Sequence, residues 1–135
     1  MAEFIALLGK GTKDAAYLDV VKRWKLKRNP AFPANDAMRD RNLGVEVIAE
    51  RGEVTSVGFS PQWRGTGVDD LRIGAARRSL SLWQGEPQHG HLIVERPPLR
   101  WAIAFEAGAV WSVGVALLDV FNEEREPGTP TRKKR

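Results

Sequence analysis

The chain of 135 residues has no cysteine, only two histidines, one tyrosine and two methionines. Without cysteine there is no disulfide framework, no thiol nucleophile and no thiolate-held metal. With His89 and His91 as the whole imidazole supply, His-based catalysis or metal binding has almost nothing to draw on. No apolar run approaches the ~20 residues that a membrane-spanning helix requires. The first ten residues carry Glu3 and an apolar run of only five, Phe4 to Leu8, a pattern unlike a secretory leader. The sequence therefore reads as cytoplasmic and free of membrane. It also lacks a Gly-x-Ser-x-Gly elbow, a phosphate-binding loop and a dinucleotide fingerprint. Gly9-Lys10-Gly11-Thr12 has neither the preceding strand nor the spacing of a phosphate loop and reads as a turn.

What is present is a folding composition. Hydrophobic residues make up 42% and charged residues 28%, enough for one domain with a core and no disulfide or metal support. The net charge is +4, but Arg132 to Arg135 are all basic, so removing those four leaves 17 basic against 17 acidic residues. The body is neutral, and the excess sits behind Pro127-Gly128-Thr129-Pro130, which has turn composition. Residues 121–135 read as a flexible basic tail on a single domain spanning 1–120.

Residues 4–28 read as helical, interrupted at Gly9 and Gly11, with Tyr17, Val20, Val21 and Trp24 at i, i+3, i+4, i+7 behind a cap at Thr12 or Asp14. Pro30 and Pro33 close this segment, and residues 29–42 read as a polar linker. Two strands, 44–50 and 54–59, flank Arg51-Gly52-Glu53. A loop follows over 60–70, then a short helix over 79–83 that stops at Gly85-Glu86-Pro87. A second hairpin, 99–106 and 110–118, turns at Ala107-Gly108-Ala109.

The two hairpins match at a constant offset of 56. Gly52, Val54, Ser56, Val57 and Gly58 correspond to Gly108, Val110, Ser112, Val113 and Gly114. The expectation is an α+β fold of two similar helix-plus-antiparallel-meander units, about 4–60 and 71–118, sharing one sheet with helices on one face.

Leu71-Arg72-Ile73-Gly74 leading to Trp83-Gln84-Gly85-Glu86-Pro87 and a meander resembles the repeat shared by the β-lactamase inhibitor protein and the small outer-membrane assembly lipoproteins. It also resembles small bacterial immunity partners of polymorphic toxins. The chain lacks the lipoprotein signal and cysteine, and its first unit lacks the Gly-x-Pro. The resemblance implies a binder of another protein and no enzyme. Its form would be a cytoplasmic immunity protein that neutralises a cognate toxin by stoichiometric occlusion, with no cofactor and no metal. The alternative is a nucleic-acid-associated protein using Lys22-Arg23-Trp24-Lys25-Leu26-Lys27-Arg28 and the basic tail. There cations would meet phosphate and Trp24 would stack on a base.

Several residues invite a chemical reading. His89-Gly90-His91 places two imidazoles together without a third ligand at fixed spacing and reads as an exposed loop. Asp69-Asp70 reads as a helix cap or a solvated loop. Trp24, Trp83 and Trp101 lie within apolar patterns and belong to the core. Trp63 and Arg64 stand in a loop between Pro61 and Gly65, and Trp111 alternates with Val110 toward an open sheet face. Because Trp and Arg dominate interfaces, Trp63, Arg64, Asp69, Asp70 and Trp111 form the candidate partner surface. For Trp63 the sequence leaves a second reading open, a plug between the two units.

Overall fold

A computed structural model describes residues 1–31 and 36–118. The expected tail over 121–135 lies outside them. Eight strands form one antiparallel sheet: β1 (Lys27–Arg28), β2 (Asp36–Asp40), β3 (Val45–Glu50), β4 (Glu53–Phe59), β5 (Glu86–Gln88), β6 (His91–Arg96), β7 (Leu99–Glu106) and β8 (Ala109–Leu117). In space the order is β1-β2-β3-β4-β8-β7-β6-β5. Two meanders thus run outward from a central seam where β4 pairs with β8.

This architecture corrects the expected fold of two helix-plus-meander units. Among the described residues the named α-helices, α1 (Ala2–Ile5) and α2 (Ala15–Arg23), both lie in the first half. The segment expected as a helix over 79–83 is a single 3-10 turn, Arg77–Ser79, followed by irregular chain. Five residues before a Gly and a Pro cannot repay the cost of helix nucleation. Leu80 and Trp83 are instead set singly into the core. The expected linker over 29–42 holds β2, and the expected loop after Pro87 holds β6.

The hairpins keep their offset in three dimensions. Val45 opposes Phe59 and Val47 opposes Val57; 56 residues on, Trp101 opposes Val115 and Ile103 opposes Val113. Each hairpin carries a bulge at the same place, between Ile48 and Ala49 and between Ala104 and Phe105. Both turns put two residues at positive φ, Arg51-Gly52 and Ala107-Gly108, which matches the twist of the flanking strands. At the seam Gly58 faces Gly114, its own counterpart, so an approximate two-fold axis passes through that pair. Beyond the seam β4 and β8 diverge, and their free backbone groups are met by similar segments. Gly9 N–H donates to Val54 O at 2.9 Å and Gly74 N–H to Val110 O at 2.8 Å. Val54 N–H and Val110 N–H in turn donate to Lys10 O and Ala75 O.

One face of the sheet is core. Met38, Val47, Val57, Val115, Trp101 and Val94 form a continuous cross-strand row. Against this face pack Phe4 and Leu7, Tyr17 and Val20 of α2, and then Trp63, Leu71, Leu80 and Trp83. Asp14 caps α2 by accepting from Ala16 N–H at 2.8 Å. Both sheet edges are short strands, one of them charged and the other holding Pro87, which discourages edge-to-edge association.

Candidate functional site

Among the described residues no helix packs on the opposite face. Its central row crosses every strand: Lys27, Arg39, Glu46, Gly58, Gly114, Ala102, Ile93 and Glu86. The middle three have no side chain larger than a methyl group, and Ser112 and Ala104 in the next row are also small. The floor is therefore low over β4, β8 and β7 and walled on either side by longer residues. A groove of about 440 Å³ lies there, bordered by Arg39, Arg41, Ser60, His91 and Trp111.

Trp111 owes its position to the β8 bulge. Ala104 pairs with Ser112 and Phe105 with Val110, so Trp111 is the extra residue, and its side chain is turned to solvent at 47% exposure. Its counterpart in the first hairpin, Thr55, is buried and hydrogen-bonds Ile48 O at 3.4 Å. Elsewhere on this face Ala37 is buried and Arg100 is 5% exposed.

The charges around it differ in how far they are committed. Asp40 accepts from Asn42 N–H at 2.9 Å and Leu43 N–H at 3.0 Å. Glu46 accepts from the Asn29 amide at 2.6 Å. Among the described residues neither Arg39 nor Arg41 has an ion pair. Sequence reasoning missed both arginines and the glycine floor. The available signal was Gly58 and Gly114 interrupting strands whose neighbours are Val, Phe and Ser.

The expected partner surface does not come together. Trp63 is 6% exposed, with its ring 5.0 Å from Phe59 and 5.6 Å from Phe4. Its indole N–H donates to Thr66 O at 3.2 Å, and the Met1 ammonium donates to the same carbonyl at 2.8 Å. Burial holds that ammonium below its ordinary pKa. Trp63 is a core residue, not an exposed anchor, because the loop folds back over Gly44 and Gly65, where a Cβ would overlap Trp63 itself. Arg64 remains exposed. Asp69 and Asp70 cap no helix. They form the turn between Val68 and Leu71, with Asp69 at φ 56° and its carboxylate 3.0 Å from Arg96. Trp111 alone of the five stands at the groove.

His89 and Gly90 form the β5–β6 turn, and His89 O lies 3.2 Å from His91 Nδ1. No group of three metal-ligating side chains occurs among the described residues. In the 22–28 cluster Arg23 pairs with Glu3 and Asp19, and Arg28 with Asp36. Trp24 packs 5.5 Å from Phe4 and donates to Glu3 at 3.2 Å, so the fold already engages its ring. The Arg23 hydrogen bond holds the Glu3 carboxyl below its ordinary range. No helix among the described residues is long and apolar enough to cross a membrane.

No protein-family model matches the chain, and no curated protein matches it. Solved structures do. A cysteine-rich secretory protein from Staphylococcus aureus superposes with a TM-score of 0.57 at 13% identity, over 87% of this chain and 47% of the other. An extracellular protein containing an SCP domain, from Bacillus anthracis, superposes with a TM-score of 0.51 at 8% identity, over 96% and 53%. The chain spans about half the length of each. At these identities the likeness is one of fold.

Proposed function

We propose that this chain is a non-enzymatic binding module that holds a partner protein against the groove face of its sheet, with Trp111 as the anchor. The observation that carries this reading is the placement of Trp111. An exposed indole on a bulge, at the mouth of a groove bordered by two arginines that make no ion pair among the described residues, is the composition of an interface centre. In the narrower form implied by the sequence resemblance, the partner is a cognate toxin and binding neutralises it by occlusion in the cytoplasm. The secretory and extracellular descriptions of the two fold neighbours favour a second form, in which the same surface works outside the cell.

The test for the narrower form is calorimetry against the purified product of the adjacent reading frame, with wild type and Trp111→Ala. The reading expects one-to-one binding that Trp111→Ala weakens by ~2 kcal/mol, roughly thirtyfold, with an unchanged thermal midpoint. Equal affinity in the two proteins would remove the groove face from the interface. Fractionation of the expressing cell separates the two compartments.

A further inference from the structure

The two-fold correspondence extends past the hairpins to the segments that dock on their tips. Thr12 N–H donates to Gly52 O at 2.9 Å and Arg77 N–H to Gly108 O at 2.8 Å. Gly11 bridges to Glu53 and Ala76 to Ala109. Gly11-Thr12-Lys13 thus corresponds to Ala76-Arg77-Arg78, Glu53 to Ala109, and Ala49 to Phe105 at the bulge. The same backbone frame is built twice, and the first copy shows which side chains the frame itself requires.

The second copy carries more than that. Where the first has Thr12 and Ala49, the second sets the Arg77 guanidinium over the Phe105 ring, 4.5 Å from its centre. Where the first has the carboxylate of Glu53, the second has Ala109. Between the docked turn and the hairpin tip lies an open cleft of about 700 Å³, lined by Ala76, Arg77, Arg78, Ala107 and Gly108. The lining holds two guanidinium groups and no carboxylate. Among the described residues neither arginine has an ion pair, and Glu106, the acid beside the hairpin tip, pairs with neither.

Stacking on Phe105 engages the face of the Arg77 guanidinium and leaves its N–H edge for an acceptor in the guanidinium plane. Such an edge matches the oxygens of a carboxylate or a phosphate. Two guanidinium groups side by side select between them. A carboxylate brings one charge and two oxygens, whereas a phosphate monoester brings nearly two charges and three acceptor oxygens and can serve both. The other lining residues are Ala and Gly, which leave room around the ion.

We propose that this cleft binds a phosphate group, free or as the monoester of a small molecule, between Arg77 and Arg78. The site shares no lining residue with the groove beside Trp111 and does not rest on the binding reading above.

The test titrates the ¹⁵N-labelled full chain with glycerol 3-phosphate, inorganic phosphate and acetate, at constant ionic strength and about pH 8, where both phosphates are dianions. The expected result is saturable shifts of the Arg77, Arg78, Ala107 and Gly108 amides with the phosphates, and at least tenfold weaker binding of acetate. The tighter of the two phosphates identifies the source of the group. Arg78→Ala, at an exposed position, should weaken phosphate binding at least tenfold with an unchanged thermal midpoint. Arg77→Lys keeps the charge but loses the fork and should weaken it as well. Lys13→Ala, at the first-half counterpart of Arg78, should bind as wild type. The proposal is overturned if neither phosphate saturates these amides, if acetate binds as tightly, if Arg78→Ala binds as wild type, or if Lys13→Ala loses as much as Arg78→Ala.

Discussion

Replacing Trp63 by alanine removes the largest side chain of the 60–70 loop from between Phe4 and Phe59, whose ring centres lie 5.6 and 5.0 Å away. At 6% exposure almost the entire indole is lost from the core, and its hydrogen bond to Thr66 O goes with it. Buried Trp-to-Ala changes cost about 3–5 kcal/mol, of which the hydrogen bond accounts for ~1 kcal/mol. Set against a total stability of ~5–15 kcal/mol for a domain, this removes roughly a fifth or more. At ~3–4 °C per kcal/mol for a chain of this size the midpoint falls by ~9–20 °C. Urea unfolding should show a lower midpoint at an unchanged slope, since the surface exposed on unfolding hardly changes. Trp111→Ala, on solvent-exposed surface, should stay within ~0.5 kcal/mol of wild type. A loss below ~1 kcal/mol at Trp63, or an equal loss at both positions, would refute the division between a core and an exposed tryptophan.

Gly65→Ala should cost ~1–3 kcal/mol by urea unfolding, because its Cβ would overlap the Trp63 ring. Arg96 lies 3.5 Å above the Trp83 ring and donates to Asp69 at 3.0 Å and to Leu82 O at 2.5 Å. Arg96→Ala should cost ~1–2 kcal/mol, and Arg96→Lys should restore less than half, since an ammonium cannot stack and fork as a guanidinium does. Glu3, held below its ordinary pKa of 4.5 chiefly by Arg23, contributes stability above 4.5 that is lost as pH falls through its folded value. Glu3→Gln should therefore be less stable than wild type at pH 7, with the gap closing as pH falls below 4.5 through the folded value in parallel unfolding curves.

Local signals were legible where local chemistry decides the structure. Arg51-Gly52 and Ala107-Gly108 mark their turns because two-residue hairpins need positive φ, and the offset of 56 follows the strands that those turns join. Tyr17 and Val20 mark the buried side of α2. The rest depends on distant partners. In β6 the alternation of His91, Leu92, Ile93 and Val94 is too short to register between Pro87 and Pro97, and pairing with β7 defines the strand. Residues 79–83 have a helix-like spacing of apolar side chains, but Leu80 and Trp83 are held by the core of the second half. Trp63 could not be assigned to core or surface from its loop, because Phe4 reaches it from the other end of the chain. Trp111 was readable as outward-facing, whereas the bulge that sets it there is defined only by pairing with β7. The groove floor left a trace in sequence as two glycines within strands, and their meaning requires knowing that they face each other.

The central claim is that Trp111 and the groove beside it hold the partner. Acrylamide quenching of tryptophan fluorescence, with and without the purified partner from the adjacent reading frame, tests it most directly. Trp63, Trp83 and Trp101 are buried and Trp24 is half-buried, so the readily quenched emission of the free protein should belong to Trp111 and vanish in Trp111→Phe. The account predicts that saturating partner protects this component. A partner that binds while Trp111 stays as quenchable as in the free protein would contradict it.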